Sequence, residues 1–507
     1  MSFRKPHGWR FFFFVISFGL ALLAAFPTVA LFPIRALVDQ MTAPEVAPVV
    51  ARRLLLAGAV IFGIVGSLWA FFRSAISALL ARLVALQPTT FWLIVAFAAA
   101  LLRVLLAFTV GYEPVTDAAW YHKAALSLAR GDGLTVDGQV SAYRGPGYAF
   151  LLALTYKAFE PTVAMAWVWG AVSTVVLLVS LFAIAKHLFN DAAARTATLM
   201  AAVYPALIFM TGQALSDLPF VAGLLALVAC VLKCTPYRAG NSMLAGFAIG
   251  VLTLLRGVGI GLFLVIPALW MLRNADPRRL AVSVLVIAAV FLISVAPWMV
   301  RNHAVFGHYT LGTNVGTNAY AGNHPGSSGG TDRYTIPPLA ESQPDEWRRD
   351  QMLLDAAIEF VASKPMEAVA ILPGKLVNLY LLETEAVSSL FQGSQPRPAA
   401  LKHLLYGVSQ LSYLCVMLLL VARIASFRDP TQRPKGIQWT GWILAAYFTG
   451  ICLVFHSEDR YRLPILPWIL LEGAVVLTRV LRLDGRSADA ASLLHTSVRP
   501  ATAQLIR

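Results

Sequence analysis

Charged residues are scarce in this 507-residue chain, where only 13% of positions are Asp, Glu, Lys or Arg. Soluble globular proteins carry roughly 25% charged residues, so the deficit argues against an ordinary soluble domain. Hydrophobic residues make up 58% of the chain, and several continuous apolar runs are long enough to cross a hydrocarbon core of about 30 Å as helices. Because these runs do not alternate with polar residues, they predict helices rather than a membrane β-barrel.

Cysteine is also rare. The four cysteines, Cys230, Cys234, Cys415 and Cys452, all lie in apolar segments, so no disulfide framework is predicted. Cys230 and Cys234 are one helical turn apart and could contact a metal. Small buried hydrophobic side chains are the favoured interpretation of both.

Lys and Arg outnumber Asp and Glu by 40 to 26, which gives a formal net charge of +14. The basic residues fall largely in short loops between apolar segments, the positive-inside pattern of membrane proteins. No basic stretch is interleaved with stacking aromatic residues, so we expect a lipid bilayer as a partner and no nucleic acid. The same pattern assigns three polar segments, 112–162, 301–402 and 456–462, to the outer side of the membrane.

The apolar windows predict an all-α polytopic membrane protein with about twelve transmembrane helices. The predicted spans are 11–34, 54–72, 91–111, 163–185, 193–212, 218–235, 243–255, 257–272, 279–300, 403–425, 438–455 and 463–480. The pair at 243–272 is short for two crossings and could instead be one bent span. The corresponding regions are an N-terminal extension with two spans (1–90), a catalytic membrane core (91–300), an outer loop (301–402), C-terminal spans (403–483) and a cytoplasmic tail (484–507).

Helical periodicity continues inside the outer segments. Residues 117–130 place Ala118, Tyr121, Ala125 and Leu128 on one face, as in a short interfacial helix. Further interfacial helices are predicted at 145–159, 345–363 and 366–384. The Gly- and Asn-rich stretch 312–338 is predicted to be a loop.

Ionisable residues accumulate on the predicted outer side, where they are costly near a membrane unless they line a cavity or pair with each other. The candidates are Asp117, Arg144, Asp217, Arg256, Arg301 beside Asn302, and Glu458, Asp459, Arg460 and Arg462 in the stretch FHSEDRYRLPILPW (455–468). Carboxylates beside several arginines suit an anionic, phosphate-bearing substrate and a base for an acceptor.

Each candidate also has a purely structural interpretation. Asp117 and Asp217 could cap helices, Arg144 and Arg301 could extend to lipid headgroups, and residues 455–468 could form a self-neutralised surface loop. The order of these residues along the chain and their common side of the membrane favour one shared site.

Six stretches carry this order: VTDAAWYHKAALSLARGDG, AYRGPGYAFLLALTYKAF, LSDLPF, LAGFAIGVLTLLRGVG, APWMVRNHAVFGHYTLGTNVGTNAYAGNHP and EDRYRLPILPW. Over roughly residues 90–480 the chain resembles bacterial membrane glycosyltransferases of the GT-C class, in particular the family of protein O-mannosyltransferases and lipid A aminoarabinose transferase. The resemblance implies a GT-C-like helical bundle in the bacterial inner membrane. It also implies transfer of a sugar from a polyprenyl-phosphate donor to an unidentified lipid, glycan or protein acceptor at the non-cytoplasmic face.

The resemblance further implies roles for single residues. Asp117 matches the acidic residue of the first outer loop, the favoured general base, and Asp217 matches a second acidic position of the same cavity. Donor-phosphate binding is assigned to Arg144, Arg256, Arg301 and Arg460, and substrate binding without a fixed role to Tyr121, Tyr143, Asn302, Asn323 and Glu458.

Two departures from the family pattern stand out. Asp117 is followed by Ala118 where many relatives carry Asp-Glu, so one carboxylate is missing. This weakens the expectation of a divalent cation, Mg²⁺ or Mn²⁺, and we assign no metal ligand. The extension at 1–90 has no counterpart in the family pattern.

A secondary transporter of a small anionic or sugar substrate is the main alternative. Such a protein would place ionisable residues near the middle of the membrane, often at broken helices in paired halves. Arg103 and Glu472 are the main charges inside predicted spans, and each lies near a span end. The long outer segment 301–402 is also atypical of a transporter.

Overall fold

The computed structural model describes residues 74–481 and 483, apart from residues 111, 235–236, 274, 331–335, 393–397 and 482. The chain divides into two compact units, residues 1–91 with 476–507, and residues 92–475. The predicted spans 11–34 and 54–72 and the predicted tail lie outside the described residues. All of the candidate residues belong to the second unit.

Helices dominate the described part of the chain, as predicted. In chain order they are α1 (Ser74–Ala85), α2 (Pro88–Thr109), α3 (Thr116–Arg130), α4 (Gly147–Ala158), α5 (Ala166–Leu188), α6 (Asp191–Ala202), α7 (Pro205–Phe209), α8 (Asp217–Lys233), α9 (Ala239–Leu255), α10 (Leu262–Met271), α11 (Pro277–Phe306), α12 (Val315–Gly322), α13 (Pro338–Glu341), α14 (Glu346–Ser363), α15 (Pro365–Tyr380), α16 (Glu385–Ser388), α17 (Ala399–Ser426), α18 (Thr440–Val454) and α19 (Leu466–Val480).

A small hairpin is the exception to the helical architecture in the described ranges. Strands β1 (Thr135–Val136) and β2 (Gln139–Val140) pair antiparallel. Asp137 and Gly138 form the turn with φ angles of 52° and 77°, as expected for an Asp-Gly two-residue turn.

The polytopic membrane architecture is confirmed, but the described helices support fewer full-length crossings than predicted. Five of them are long and apolar enough to span a bilayer, or up to seven if two bent pairs each count as one span. The five are Pro88–Thr109, Val163–Leu188, Pro277–Phe306, Ala399–Ser426 and Gly436–Val454, and the bent pairs are Asp191–Ala202 with Pro205–Gly212 and Pro365–Tyr380 with Glu385–Phe391. The remaining predicted spans correspond to shorter helices: α8 and α9 have 17 residues each, α19 has 15 and α10 has 10.

Two sequence expectations for the outer segments need correction. The predicted loop 312–338 contains helix α12, because Gly316 packs directly against the backbone of Asp350 and the Asp350 carboxylate accepts a hydrogen bond from Thr317 N at 2.9 Å. The predicted interfacial helix 366–384 corresponds to α15, which belongs to a candidate broken span or re-entrant loop.

The predicted helices 117–130, 145–159 and 345–363 correspond to α3, α4 and α14. Helix α3 ends at Gly131, which adopts a left-handed conformation with φ of 92°, a common way to terminate a helix. All four cysteines are free. Cys452 is buried, but Cys230 is exposed, so the prediction of burial is wrong for Cys230.

Candidate active site

The carboxylate of Asp117 joins three distant parts of the chain. Its Oδ1 atom forms an ion pair with Arg144 Nη2, and its Oδ2 atom lies 2.9 Å from Arg460 Nη2. Asp117 stands in the first turn of α3, but Val115 is the cap residue and makes no side-chain capping bond among the described residues. The capping interpretation of Asp117 is therefore wrong, and its carboxylate is directed at the two guanidinium groups.

The Gly-Pro-Gly turn after Arg144 packs against the end of α9. A Cβ atom on Gly147 would lie 2.9 Å from the carbonyl carbon of Leu254, and one on Gly145 would overlap the Leu254 oxygen. Only glycine allows so close an approach of two backbones. Because Leu254 precedes Arg256 by two residues, this packing brings the segments that carry the two arginines together.

Arg256 and Asp217 form a second ion pair, with 2.5 Å between Nη1 and Oδ1. Asp217 is buried in the first turn of α8, where the positive end of the helix dipole favours a carboxylate. Ser216 is the cap residue of this helix and makes no side-chain capping bond within the described ranges. Asp217 is thus a partner of Arg256 rather than a capping residue.

Tyr461 connects the two ion-pair groups. The guanidinium carbons of Arg256 and Arg460 lie 5.6 and 5.3 Å from the centre of its ring, within the range of a cation–π contact. Arg460 also pairs with Glu458, with 2.7 Å between Nε and Oε2. The candidate site therefore contains three arginines and three carboxylates, and their formal charges cancel.

The electrostatic environment favours the ionised forms of Asp117 and Arg144. Burial alone would raise the pKa of Asp117, but the positive charges of Arg144 and Arg460 outweigh it and hold that pKa below its ordinary value of 3.8. Burial alone would lower the pKa of Arg144, but the Asp117 carboxylate raises it. Opposite charges at such short range favour the charged form of each partner.

One hydrogen-bond donor at this site lacks a partner. The Nε atom of Arg144 is buried and has no hydrogen-bond partner among the described residues. Buried guanidinium donors are normally satisfied, and an unpaired one is costly. An acceptor oxygen supplied by a ligand would remove that cost.

Tyr121 and Tyr143, both predicted as site residues, flank Arg144. The guanidinium carbon lies 5.9 Å from the ring centre of Tyr121 and 5.3 Å from that of Tyr143. The Tyr121 hydroxyl donates a hydrogen bond to Ser216 Oγ at 3.1 Å. Both tyrosines therefore belong to the wall around the ion pairs.

Three other predicted residues have different partners. Arg301 donates hydrogen bonds to the carbonyl oxygens of Ser141 and Leu134, each at 3.0 Å, and so holds the β-hairpin. Asn302 is fully buried and donates to Thr310 O at 2.8 Å. Asn323 donates to Val454 O at 2.9 Å and accepts from Lys375 Nζ at 2.9 Å. None of these hydrogen bonds involves Asp117, Asp217 or their arginine partners.

The charged stretch 455–468 divides between two roles. Glu458 and Arg460 face the candidate site, whereas Asp459 accepts a hydrogen bond from Glu385 N at 2.9 Å at the start of α16. Arg462 is buried and donates to Leu382 O. The interpretation of this stretch as a self-neutralised surface loop is therefore wrong.

Tyr461 and His456 were missed by sequence reasoning. His456 Nε2 lies 2.9 Å from the Tyr461 hydroxyl. Both residues stand beside the charged residues of the stretch 455–468, and neither an aromatic ring nor a histidine indicates by itself which arginines it will contact. Their positions inside the stretch HSEDRY were the available signal.

Metal binding does not fit the described residues. Among them, no group of three or more His, Cys, Asp or Glu could hold a metal ion. The carboxylates of Asp117, Asp217 and Glu458 each contact an arginine, which would compete directly with a cation for the same oxygens. We therefore assign no chemical step to Mg²⁺ or Mn²⁺.

Comparison with known proteins found no matching family model and no matching curated protein. Among solved structures, the chain is similar to the Archaeoglobus fulgidus oligosaccharyltransferase in the apo form, with a TM-score of 0.44 and 16% identity over 80% of this chain and 54% of that chain. The chain is also similar to the archaeal oligosaccharyltransferase AglB from Archaeoglobus fulgidus in complex with an inhibitory peptide and a dolichol-phosphate. The TM-score is 0.44 and the sequence identity is 15%, over 84% of this chain and 55% of that chain. For ArnT from Cupriavidus metallidurans bound to undecaprenyl phosphate, the TM-score is 0.40 and the sequence identity is 13%, over 82% of each chain.

The chain thus spans about half the length of the oligosaccharyltransferase that it matches.

Proposed function

We propose that the protein is a membrane glycosyltransferase of the GT-C type, which transfers a sugar from a polyprenyl-phosphate donor to a lipid, glycan or protein acceptor. The observation that carries this proposal is the convergence of Arg144, Arg256 and Arg460 on the carboxylates of Asp117 and Asp217. Segments far apart in the sequence contribute these groups. Structural ion pairs alone do not require three arginines in one cluster, two of them against the same aromatic ring.

The donor phosphate would bind to the arginines. Guanidinium groups match phosphate oxygens in geometry and charge, and they stabilise the phosphate as it leaves without a proton transfer. The N–H group at Arg144 Nε is already available to donate a hydrogen bond to a phosphate oxygen. Arg256 and Arg460 would supply the remaining charge from the Tyr461 side.

Asp117 would act as the base. In the absence of donor both of its oxygens contact an arginine, so they are not free to accept a proton. A bound phosphate would compete for Arg144 and release one carboxylate oxygen to the acceptor hydroxyl. Donor binding would therefore precede activation of the acceptor.

The chemical step would be a direct displacement. The acceptor oxygen forms a bond to C1 of the sugar, the bond between C1 and the phosphate oxygen breaks, and the electron pair stays on the lipid phosphate. The acceptor proton passes to Asp117. Attack opposite the leaving group inverts the configuration at C1. Asp217, which is buried against Arg256, would orient that arginine rather than exchange protons.

The site would face the outside of a bacterial inner membrane. The distribution of Lys and Arg in short loops supports this orientation. We also propose that the regions predicted from the sequence, an N-terminal extension, a catalytic core, an outer loop and C-terminal spans, hold for this chain.

Transporter function is not favoured, because the two main charges inside predicted spans, Arg103 and Glu472, have structural partners. Arg103 donates to Thr211 Oγ1 at 3.0 Å and to Ala202 O at 3.2 Å. Glu472 accepts from Arg423 Nε at 2.6 Å and from Trp442 Nε1 at 3.1 Å. Both charges therefore tie neighbouring helices together.

The proposal is tested by reconstituting the purified protein in liposomes with a radiolabelled undecaprenyl-phosphate sugar and a membrane extract as the source of acceptors. We expect a labelled product that resists the mild acid that cleaves the donor. The exposed Lys123→Ala variant on the same helix as Asp117 serves as a control, and it should retain transfer. Sugar uptake into sealed vesicles without a covalent product would overturn the proposal.

A further inference from the structure

Tyr461 is held by a hydrogen-bonded chain that ends in the backbone. Its hydroxyl lies 2.9 Å from His456 Nε2, and His456 Nδ1 lies 3.2 Å from the carbonyl oxygen of Asn318 in α12. A carbonyl oxygen can only accept, so Nδ1 must carry the hydrogen. In a neutral imidazole Nε2 is then an acceptor, and the Tyr461 hydroxyl donates to it.

His456 itself is fixed on several sides. Gly322, the last residue of α12, packs against the backbone of Phe455 and His456, and a Cβ atom on Gly322 would lie 2.8 Å from His456 Cα. Ser457 N donates to Gly329 O at 2.8 Å. Burial lowers the pKa of His456, which favours the neutral ring. The imidazole thus offers a rigid acceptor at a defined point.

At the other end of this hydrogen-bonded chain, the Tyr461 ring contacts the guanidinium groups of Arg256 and Arg460. Rotation of this ring would move the surface against which both guanidinium groups pack. Arginine side chains are flexible, and holding them in one geometry costs conformational entropy. A ring fixed by a hydrogen bond keeps both arginines ordered before a ligand binds, so less conformational entropy is lost on binding.

We propose that His456 and Tyr461 are positioning residues that fix Arg256 and Arg460 for the phosphate of the donor. The inference rests on the proposed function, because it assigns a donor phosphate to those arginines. Neither residue needs to contact the substrate. Their effect is on the geometry of the two groups that do.

Two amide substitutions at residue 456 separate this role from a structural one. His456→Gln places an amide near the Nε2 position, so it keeps an acceptor for Tyr461 but loses the donor to Asn318 O. His456→Asn places its amide near the Nδ1 position, so it keeps the bond to Asn318 O but loses the acceptor for Tyr461. The two variants therefore remove opposite halves of the hydrogen-bonded chain.

The measurement is binding of undecaprenyl phosphate to the purified protein in detergent, followed by the donor KM and kcat in liposomes. His456→Asn should weaken binding and raise the donor KM roughly fivefold to tenfold, the loss of one neutral hydrogen bond, with a smaller change in kcat. His456→Gln should stay within about twofold of the wild type. Equal effects, or a greater loss in His456→Gln, would overturn the inference and assign His456 to anchoring its loop.

Tyr461→Phe provides an independent check, because it keeps the ring and removes the hydroxyl. It should reproduce the KM effect of His456→Asn, and the double variant should be no worse than either single variant. If the losses of affinity in the two single variants add up in the double variant, the two residues do not act through one hydrogen-bonded chain. If the wild type neither binds undecaprenyl phosphate nor transfers sugar, the proposed function itself has failed. If the wild type binds undecaprenyl phosphate and transfers sugar, but His456→Gln loses more affinity than His456→Asn, only the inference about His456 and Tyr461 has failed.

Discussion

Asp117 Oδ2 lies 2.9 Å from Arg460 Nη2, so helix α3 and the turn that follows α18 meet in a single ion pair. The other oxygen of the same carboxylate contacts Arg144. One carboxylate therefore shares two positive groups that we assign to the donor phosphate. In the proposed mechanism, donor binding and release of the base would be coupled through this competition.

Replacing Asp117 with asparagine should separate binding from chemistry. Asp117→Asn keeps the shape of the side chain but removes the base, so transfer should fall roughly 100-fold or more, the range for loss of a general base. Binding of undecaprenyl phosphate should be unchanged or tighter, because the competing carboxylate charge is gone. Transfer at the wild-type rate in this variant, measured beside Lys123→Ala, would rule out Asp117 as the base.

Replacing Arg144 with lysine should weaken phosphate binding even though the charge is kept. Lysine cannot reproduce the Nε donor or the planar fork of the guanidinium, and loss of a hydrogen bond between charged groups corresponds to roughly a 10- to 100-fold weaker affinity. Titration with undecaprenyl phosphate measures the effect.

Arg301→Lys is the matched control, because Arg301 holds the β-hairpin through hydrogen bonds to Ser141 O and Leu134 O and makes its side-chain hydrogen bond to Asn302 rather than to Asp117 or Asp217. It should bind undecaprenyl phosphate like the wild type. An equal loss of affinity in both variants would mean that charge near the membrane, rather than the geometry at Arg144, governs binding.

Substituting Gly145 tests whether packing positions the site. In Gly145→Ala the new methyl group would overlap the Leu254 carbonyl, so either the turn or the end of α9 must move. Overpacking of this kind costs about 1–3 kcal/mol, and we expect a lower Tm together with weaker undecaprenyl phosphate binding. Gly240→Ala is the control, since in the described part of the chain no heavy atom beyond its chain neighbours and its own helix backbone lies within 4 Å of its added Cβ. Unchanged binding in Gly145→Ala would show that the close approach is unnecessary.

The pH dependence of stability should report the Asp117 ion pairs. Because Arg144 and Arg460 lower the folded-state pKa of Asp117 below 3.8, the ion pairs stabilise the protein at pH values above the unfolded-state pKa. That stabilisation is lost as the pH falls through the lowered folded-state pKa. The Tm difference between the wild type and Asp117→Asn should be constant from pH 7 to about 5 and should shrink only in stronger acid. A difference that disappears between pH 7 and 5 would contradict the assigned pKa direction.

The helices and the main acid–arginine cluster could be predicted from the sequence. Continuous apolar runs fix the helical class because an unpaired backbone is not tolerated in a bilayer. The ionised residues at helix ends, Asp117, Asp217 and Arg256, had to find partners near the membrane, and the order of the motifs indicated which ones. Their shared location was therefore accessible before the structure.

Other features depend on contacts between distant segments. In the first turn of α12, Thr317 N donates a hydrogen bond to the Asp350 carboxylate of α14. Because this contact comes from a distant part of the sequence, the Gly- and Asn-rich stretch itself gives no local helical signal. Arg301 resembles Arg144 in type and predicted side, and only the position of the β-hairpin separates their roles. Tyr461 gains its significance from Arg256, more than two hundred positions away in the sequence.

The central claim is that Arg144, Arg256 and Arg460 form one binding site for a lipid-linked phosphate, and a cryo-electron microscopy structure of the protein with undecaprenyl phosphate tests it most directly. We predict that the phosphate lies within hydrogen-bond distance of Arg144 Nε and contacts at least one of Arg256 and Arg460, with one Asp117 oxygen released from its arginine. A phosphate bound elsewhere, with the Asp117 ion pairs intact, would contradict the account.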